Sequence, residues 1–510
     1  MARTDRPNIL WIMSDQHRAD ALGAVTPWMH TPSLDHLAAE GVSLRRMFAQ
    51  SPVCVPSRSN FVTGRYPHSH RVRENNSNIG PGEPHLFRIL KDRGYKTGLV
   101  GKNHMFYPRD LEPLDICRAD LKSGGTPEWE AHLKAIREDM YHKGSWAGAR
   151  FHDLPEKHSS TYKIGQAGLD ALDVFAKQDD PFFLWVSFQD PHAPHTAPRR
   201  LSGLYPEDKL PLDKSLVGPT RGHEVNGKSS RMSVKREAQL MDAASESDLR
   251  RYMAVYSAMI TLVDEQIGKI LSKLDELGMR ENTLVIYVSD HGDFRADHGM
   301  VKKDLVLYDC LLNIPCVLRY PGVLPAGAVR HALAEQIDLH PTICHYAGAT
   351  VPKGVQGLSL DALLEGATDR HRDEVHAEIC PPLFENPYSD FPAFISEWRR
   401  SRDEPGHPLR HSAPFNVPGD HVKMVRTPTR KYIWFKRGEE ELYDLEADPG
   451  ERRNLAREPA RQAECGAFRA QLFEWCVRSE DPRDLQDDRD IARQLPWGEP
   501  LVAWEAKPKA

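Results

Sequence analysis

The sequence predicts an α/β protein. It has a large, doubly wound, mostly parallel sheet flanked by helices, and a smaller C-terminal antiparallel sheet with one helix. Three observations carry this. Short apolar, β-branched or aromatic runs alternate with segments of helical period. Each run is apolar on both faces, as strands covered by helices on either side must be. After about residue 420 the pattern changes to short strands in quick succession, separated by Pro, Arg or Gly-Glu.

Taken in order, NILWIM (8–13) reads as the first strand and SLDHLAAEG (33–41) as a helix. VCVPSRSNFVTGRYP (53–67) turns helical after a cysteine, Cys54. HLFRILKDRG (85–94) is a helix, and KTGLVG (96–101) and FFLWVSF (182–188) are strands. The stretch 253–278 places apolar residues at 255, 259, 262, 263, 267, 270 and 274 and stops at Gly278, which predicts a long amphipathic helix. TLVIYVS (283–289) and PCVLRY (315–320) are the last strands of the large sheet. HVKMVRT, RKYIWFK and EELYDL then form a meander, with a helix near 458–477. The expected units are an α/β domain over 1–370, an irregular insertion or substrate wall over 371–420, the C-terminal sheet and helix over 421–485, and a tail over 486–510. Segments 199–250 and 380–420 are polar or Pro-rich, and loops of that length inside a compact enzyme act as lids or substrate walls.

Composition narrows the function. Of 510 residues, 40% are hydrophobic and 27% charged, with a net charge of −6. That balance carries no polybasic footprint for nucleic acid or an anionic membrane. The N-terminal apolar run, Ile9 to Met13, is short for a signal peptide and meets charge at Asp15. No apolar stretch approaches the ~20 residues a bilayer requires. The expectation is a cytoplasmic protein with no membrane and no nucleic acid among its partners. The 8 cysteines (Cys54, Cys117, Cys310, Cys316, Cys344, Cys380, Cys465, Cys476) form no CxxC pair, so neither a zinc site nor a disulfide framework is indicated.

In an open parallel sheet, ligands sit beyond the carboxyl ends of the strands. NILWIM is followed by Ser14-Asp15-Gln16, TGLVG by Lys102-Asn103-His104, FFLWVSF by Gln189-Asp190-Pro191-His192, and TLVIYVS by Asp290-His291-Gly292-Asp293. A single strand-end Asp is commonly a helix cap and a single His commonly packing; four strands delivering such residues to one edge is another matter. Asp15, Gln16, Asp290 and His291 offer hard oxygen ligands and one imidazole, which suits Ca²⁺, Mn²⁺ or Mg²⁺ better than thiolate-bound zinc. Arg58 and Lys102 add positive charge, making a site for a tetrahedral anion such as sulfate or phosphate. Asp293 reads as a brace for the turn after Asp290, His195 as a substrate contact or lid residue, and His68 and His70 as loop or wall residues. Asn75, Asn76 and Asn78 read as a polar loop, and Trp185 and Phe188 as strand core.

CVPSR (54–58) followed by TGRYP resembles the signature of type I sulfatases, members of the alkaline-phosphatase superfamily. NILWIMSDQ, GKNH (101–104), PHAP (191–194), SDHGD (289–293), KKDLVLYD, IDLHPT (337–342) and ELYDLEADPGERRNL (441–455) are similar to the same family, in the same order. The resemblance runs from about residue 7 to 456 and implies an alkaline-phosphatase-like fold.

The resemblance implies that Cys54 is oxidised to formylglycine by a formylglycine-generating enzyme that reads Pro56 and Arg58 on the unfolded chain. The aldehyde hydrates to a diol. One hydroxyl attacks sulfur, and the other then loses its proton, re-forming the aldehyde and expelling sulfate. Asp15, Gln16, Asp290 and His291, with modified Cys54, would hold one divalent metal, calcium first and manganese or magnesium after it. Arg58 and Lys102 would hold the diol and the anion, and His104 would assist diol deprotonation. His192 and Lys303 would lie at the leaving oxygen, with His192 as proton donor. Lys302 competes with Lys303 for that place, and spacing from Tyr308-Asp309 favours Lys303.

Gln16 stands where many sulfatases carry Asp, and His291 where they carry Asn. Both forms resemble the choline-sulfatase and phosphonate-monoester-hydrolase branches. The Lys102/His104 pair and the CxPSR form point instead to sulfatases, arylsulfatases included. The expected reaction is hydrolysis of a small sulfate monoester. The alternatives are a phosphonate monoester or phosphodiester hydrolase, and a non-catalytic anion-binding homologue in which Cys54 stays a thiol. Substrate choice is expected in 105–165, 199–250 and 380–420, with Trp129, Trp146, His152, Trp398 and His411 as aromatic or cationic contributors. A homo-oligomer is expected through the tail, which carries Trp497 and Trp504.

Overall fold

In the computed structural model, residues 6–142, 147–213, 227–229, 244–303, 306–380 and 421–480 are described, with Met232, Arg236, Gln239, Met241 and Arg400. Trp146, Trp398, His411, the tail from 486, and most of the expected walls at 214–243 and 381–420 lie outside the described residues.

Among the described residues the large sheet has eight strands in the order Ala328–Arg330, Val42–Leu44, Cys316–Arg319, Thr283–Ser289, Asn8–Asp15, Phe182–Pro191, Lys96–Gly101, Ile116–Ala119. The strand Asn8–Asp15 lies at its centre, parallel to both neighbours, with Trp11 opposite Trp185 on one side and Ile286 on the other. The strand Cys316–Arg319 runs antiparallel to both of its neighbours.

Alternation along these strands feeds two cores. Leu10, Ile12, Leu184, Val186, Val285 and Tyr287 pack against helix Ser160–Phe175, helix Pro32–Ala39 and the second half of helix Glu246–Glu276. Ile9, Trp11, Met13, Phe183, Trp185 and Ile286 face the other way, onto Phe61, Phe87 and Leu90. Trp11 and Trp185 stack there, with ring centroids 4.6 Å apart and planes 6° apart. Helix Cys54–Thr63 sits on this face with all ten of its residues buried.

The long helix begins at Glu246, earlier than its apolar period indicates. Ser245 accepts from Asp248 N while Asp248 reaches back to Ser245 N, and this capping box starts the helix on a polar turn. The expectation of an irregular segment from 371 needs correction at its start: Val375–Ile379 is a strand, antiparallel to Val422–Arg426. Val375, Ala377 and Ile379 alternate with His376 and Glu378, a short period-2 signal. Among the described residues the C-terminal sheet therefore has four strands, completed by Arg430–Phe435 and Glu440–Asp444, and helix Gln462–Arg478 packs on it. Among the described residues, no helix is long and apolar enough to cross a membrane.

Candidate active site

Because the central strands are parallel, Asp15, Lys102, His192, Asp290 and His291 all emerge at one edge of the sheet. Gly101 makes the turn into Lys102: it has φ +89°, and a Cβ there would lie 2.1 Å from Ser187 O. Gly292 permits the close pass after His291, where a Cβ would lie 2.1 Å from Cys310 O.

Helix Cys54–Thr63 enters this edge from an extended Val53. Asn75 Oδ1 accepts from Val55 N at 3.1 Å, so a residue read as plain loop satisfies the first turn of this helix. Arg58, one turn on, is fully buried. Its Nε donates to Asp290 Oδ2 at 2.9 Å and its Nη2 to Asp15 Oδ2 at 3.1 Å, while Nη1 donates to Ser187 Oγ (2.7 Å) and Lys102 O (3.1 Å). One planar guanidinium thus ties two strand-end carboxylates together.

Cys54 Sγ, in a residue 1% exposed, is the meeting point of the site. Lys303 Nζ lies 2.6 Å from it, His291 Nε2 3.4 Å, Lys102 Nζ 3.7 Å and Asp15 Oδ1 3.8 Å. Lys102 Nζ also donates to Asp15 Oδ2. His104 is exposed at the mouth, and His192 is held in the same charge network as Cys54. The Nδ1–H of His192 donates to Ala193 O at 2.8 Å, which fixes its ring.

Charge balance is set by burial against these contacts. Burial and the Cys54 sulfur push the Asp15 carboxyl up, but Lys102, His192 and Lys303 outweigh them and hold it well below the usual carboxylate range. Burial pushes the Cys54 thiol up, and the charges of Lys102, Lys303 and His291 bring it well below its ordinary value. His192 is lowered by burial, against the pull of Asp15. Lys102 is disfavoured by burial but raised overall by Asp15 and Cys54.

The donor set fits a hard divalent cation. Ligand atoms of Asp15, Cys54, Asp290 and His291 all lie within 4.8 Å of one another. His291 Nδ1–H donates to Gly292 O at 2.9 Å, so Nε2 presents its lone pair inward. Asp290 Oδ1 is oriented by the N–H groups of Gln16 and His291, each at 3.0 Å. Gln16 Nε2 donates to Asp293 Oδ2 at 2.5 Å, leaving only the amide oxygen to ligate.

Of the two competing lysines, Lys303 reaches Cys54 and Lys302 does not. Lys302 is buried, its N–H donates to Tyr252 Oη at 2.9 Å, and burial lowers its pKa to about 7 despite Asp293. Asp293 is a brace, accepting from Gln16, from Tyr252 Oη (2.9 Å) and from Arg295 N (2.6 Å). His195 is neither lid nor substrate contact: it is fully buried, 3.2 Å from Tyr252 Oη. His68 bonds Glu378 and His70 bonds Asn60, so both hold structure. Sequence reasoning missed Ser187, a strand serine whose hydroxyl accepts from Arg58, and named Asp190 at the strand end without a role; its carboxylate accepts from Thr161 Oγ1 at 2.5 Å.

Acidic and cationic strand ends gathered around a helix-start residue on this sheet define a hydrolase that handles a tetrahedral anion, and this chain is one of that class. Within that class it belongs to the sulfatase family, whose model, described as Sulfatase, matches residues 7–349, and it is a sulfuric ester hydrolase. An arylsulfatase of Clostridium perfringens (strain 13 / Type A) is 28% identical over 480 residues, covering 88% of this chain and 90% of its own. A choline-sulfatase of Rhizobium meliloti (strain 1021) is 28% identical over 526 residues, covering 99% and 94%. Among solved structures, a phosphonate monoester hydrolase from Silicibacter pomeroyi superposes with a TM-score of 0.73 at 24% identity, over 94% of this chain and 96% of that one. At that identity the likeness is one of fold.

Proposed function

We propose that the protein hydrolyses a small sulfate monoester to an alcohol and inorganic sulfate, using Cys54 oxidised to formylglycine and one divalent cation, calcium first. The observation that carries this reading is the position of Cys54 Sγ, with Lys303 Nζ at 2.6 Å, His291 Nε2 at 3.4 Å and Lys102 Nζ at 3.7 Å. A thiol so surrounded marks where a nucleophile and a transferring anion meet. Hydrated formylglycine offers two hydroxyls there, one to attack sulfur and one whose deprotonation releases the bound sulfate. A bound cation would polarise the sulfuryl oxygens, held by Asp15, Gln16, Asp290 and His291.

The chain's own residues do the remainder. Lys102 and Lys303 oppose the negative charge that builds on the sulfuryl oxygens. Arg58 acts at one remove, locking Asp15 and Asp290 in place. His104, at the mouth, accepts the proton of the second hydroxyl. His192 faces the leaving oxygen, and the charge of a bound anion favours its protonated form, which donates. Maturation requires a formylglycine-generating enzyme, and the substrate is a small ester in the cytoplasm of a homo-oligomeric enzyme.

Intact and peptide mass spectrometry of protein from its own host tests the modification. Conversion of the thiol to an aldehyde removes about 18 Da from the peptide bearing Cys54, and an unmodified thiol there rejects the mechanism in favour of anion binding without turnover. Rates on 4-nitrophenyl sulfate against phenylphosphonate and phosphodiester analogues test the reaction. A phosphonate preference of several orders of magnitude would reverse the assignment.

A further inference from the structure

The loop that brings His192 to Cys54 also walls a cavity of about 130 Å³. Trp129, Leu133 and Arg137 line it too. They stand four apart on helix Pro127–His142 and so share one stripe of it. Trp129 is 1% exposed, donates through Nε1 to Pro155 O at 3.2 Å, and packs against the His152 ring at 4.8 Å. These are rigid aromatic walls whose polar atoms are already satisfied, of a kind that receives a flat ring.

The charges at this cavity are unbalanced. Lys122 and Arg137 line it, and neither forms an ion pair with a carboxylate among the described residues. Nearby arginines are neutralised: Arg199 by Asp153 at 2.8 Å, and Arg200 by Glu156 at 2.5 Å and Glu265 at 2.6 Å. The carboxyl group within the cavity, Asp190, is already tied to Thr161 Oγ1 at 2.5 Å. Two cations that pair with no carboxylate among the described residues, beside an aromatic slot, call for an anion on the ring that fills it.

We propose that this cavity receives the alcohol part of the ester and selects a ring bearing a second negative group, a carboxylate or sulfonate-type anion, which Lys122 and Arg137 bind. This rests on the reading of His192 as the residue at the leaving oxygen, since His192 is the residue shared by the cavity and the Cys54 site.

The test measures binding separately from turnover. 4-Hydroxybenzoate, 4-hydroxybenzenesulfonate and the neutral methyl 4-hydroxybenzoate are titrated by calorimetry into the full chain, into a Lys122→Ala/Arg137→Ala variant, and into the charge-retaining Lys122→Arg/Arg137→Lys. The wild type is expected to prefer both anions over the ester by about tenfold, the worth of one charge-assisted contact. The preference should vanish in the alanine variant, persist in the charge-retaining one, and shrink as salt is raised. The ratio of kcat/KM for 4-carboxyphenyl sulfate over its methyl ester should move by the same factor, mainly through KM. Equal binding of anion and ester by the wild type, or an undiminished preference in the alanine variant, overturns the proposal. Failure to hydrolyse any aryl sulfate would instead strike the reaction assigned above, because the binding preference is read without turnover.

Discussion

Replacing Arg58 by lysine asks whether one planar fork holds the two carboxylates of the site. Arg58 donates to Asp290 at 2.9 Å and to Asp15 at 3.1 Å, with both acids and the arginine fully buried. Lysine keeps the charge but is a point donor on a flexible stem, and it cannot lie between two carboxylates while also serving Ser187 and the Lys102 carbonyl. One acid is then left with a weakened partner and no water. Breaking a buried pair costs about 3–5 kcal/mol, and retention of the charge puts the loss near the lower figure. For a cooperative unit of about 400 residues the unfolding entropy is about 0.8 kcal/mol/K, so Tm should fall by about 4 °C. The assay is thermal unfolding in chelator, with Arg58→Met beside it, which should fall further because it removes the charge. An Arg58→Lys protein melting within about 1 °C of wild type would refute the reasoning, since a shift that small is under 1 kcal/mol on the same scale.

The lysine pair separates cleanly. Lys303→Ala should lower kcat/KM on 4-nitrophenyl sulfate by about 10²–10³, the usual loss for a group opposing transition-state charge. Lys302→Met should be neutral or stabilising in a melting experiment, because it removes a buried ammonium that burial already lowers to about 7; the reverse pattern would mean the two roles are exchanged. A third prediction concerns acid. His340 is fully buried, its Nδ1–H donates to Val62 O at 2.9 Å, and burial lowers its pKa from 6.5 to about 4. The unfolded chain takes up a proton near 6.5 that the folded protein refuses until about 4, so stability is full above the first value and falls as pH drops toward the second. At pH 5 the loss is about 2 kcal/mol. His340→Gln should therefore lose less stability than wild type between pH 7 and 5 in urea titrations, and parallel pH curves would count against it.

Much of the site was legible in the sequence because parallel strands fix direction. Once NILWIM and TLVIYVS are strands of one parallel sheet, Asp15 and Asp290 must leave by the same edge, and their register, Ser14 opposite Ser289, bears this out. The choice between Lys302 and Lys303 was less accessible. It turns on a backbone at φ +62° at Lys302, which no side-chain pattern announces. Arg58 was read as a holder of the reacting group, yet its four hydrogen bonds go to Asp15, Asp290, Ser187 and a carbonyl, a division of labour set by tertiary distances. The strands Ala149–His152 and His195–Pro198 are four residues each, too short to carry a period, and they form only because each finds the other. His195 went underground for the same reason: its strand turns inward, toward Tyr252.

The stacked indoles of Trp11 and Trp185 give the molecule an optical gauge. They bridge the two strands that carry Asp15 and His192, a few residues beneath the site, at 4.6 Å and nearly coplanar. Two chromophores this close couple their excitation, so this strand contact should contribute to the tryptophan circular dichroism, a contribution that Trp11→Phe and Trp185→Phe would each remove. Local parting of the two strands would diminish that contribution while the helices and sheet remained folded.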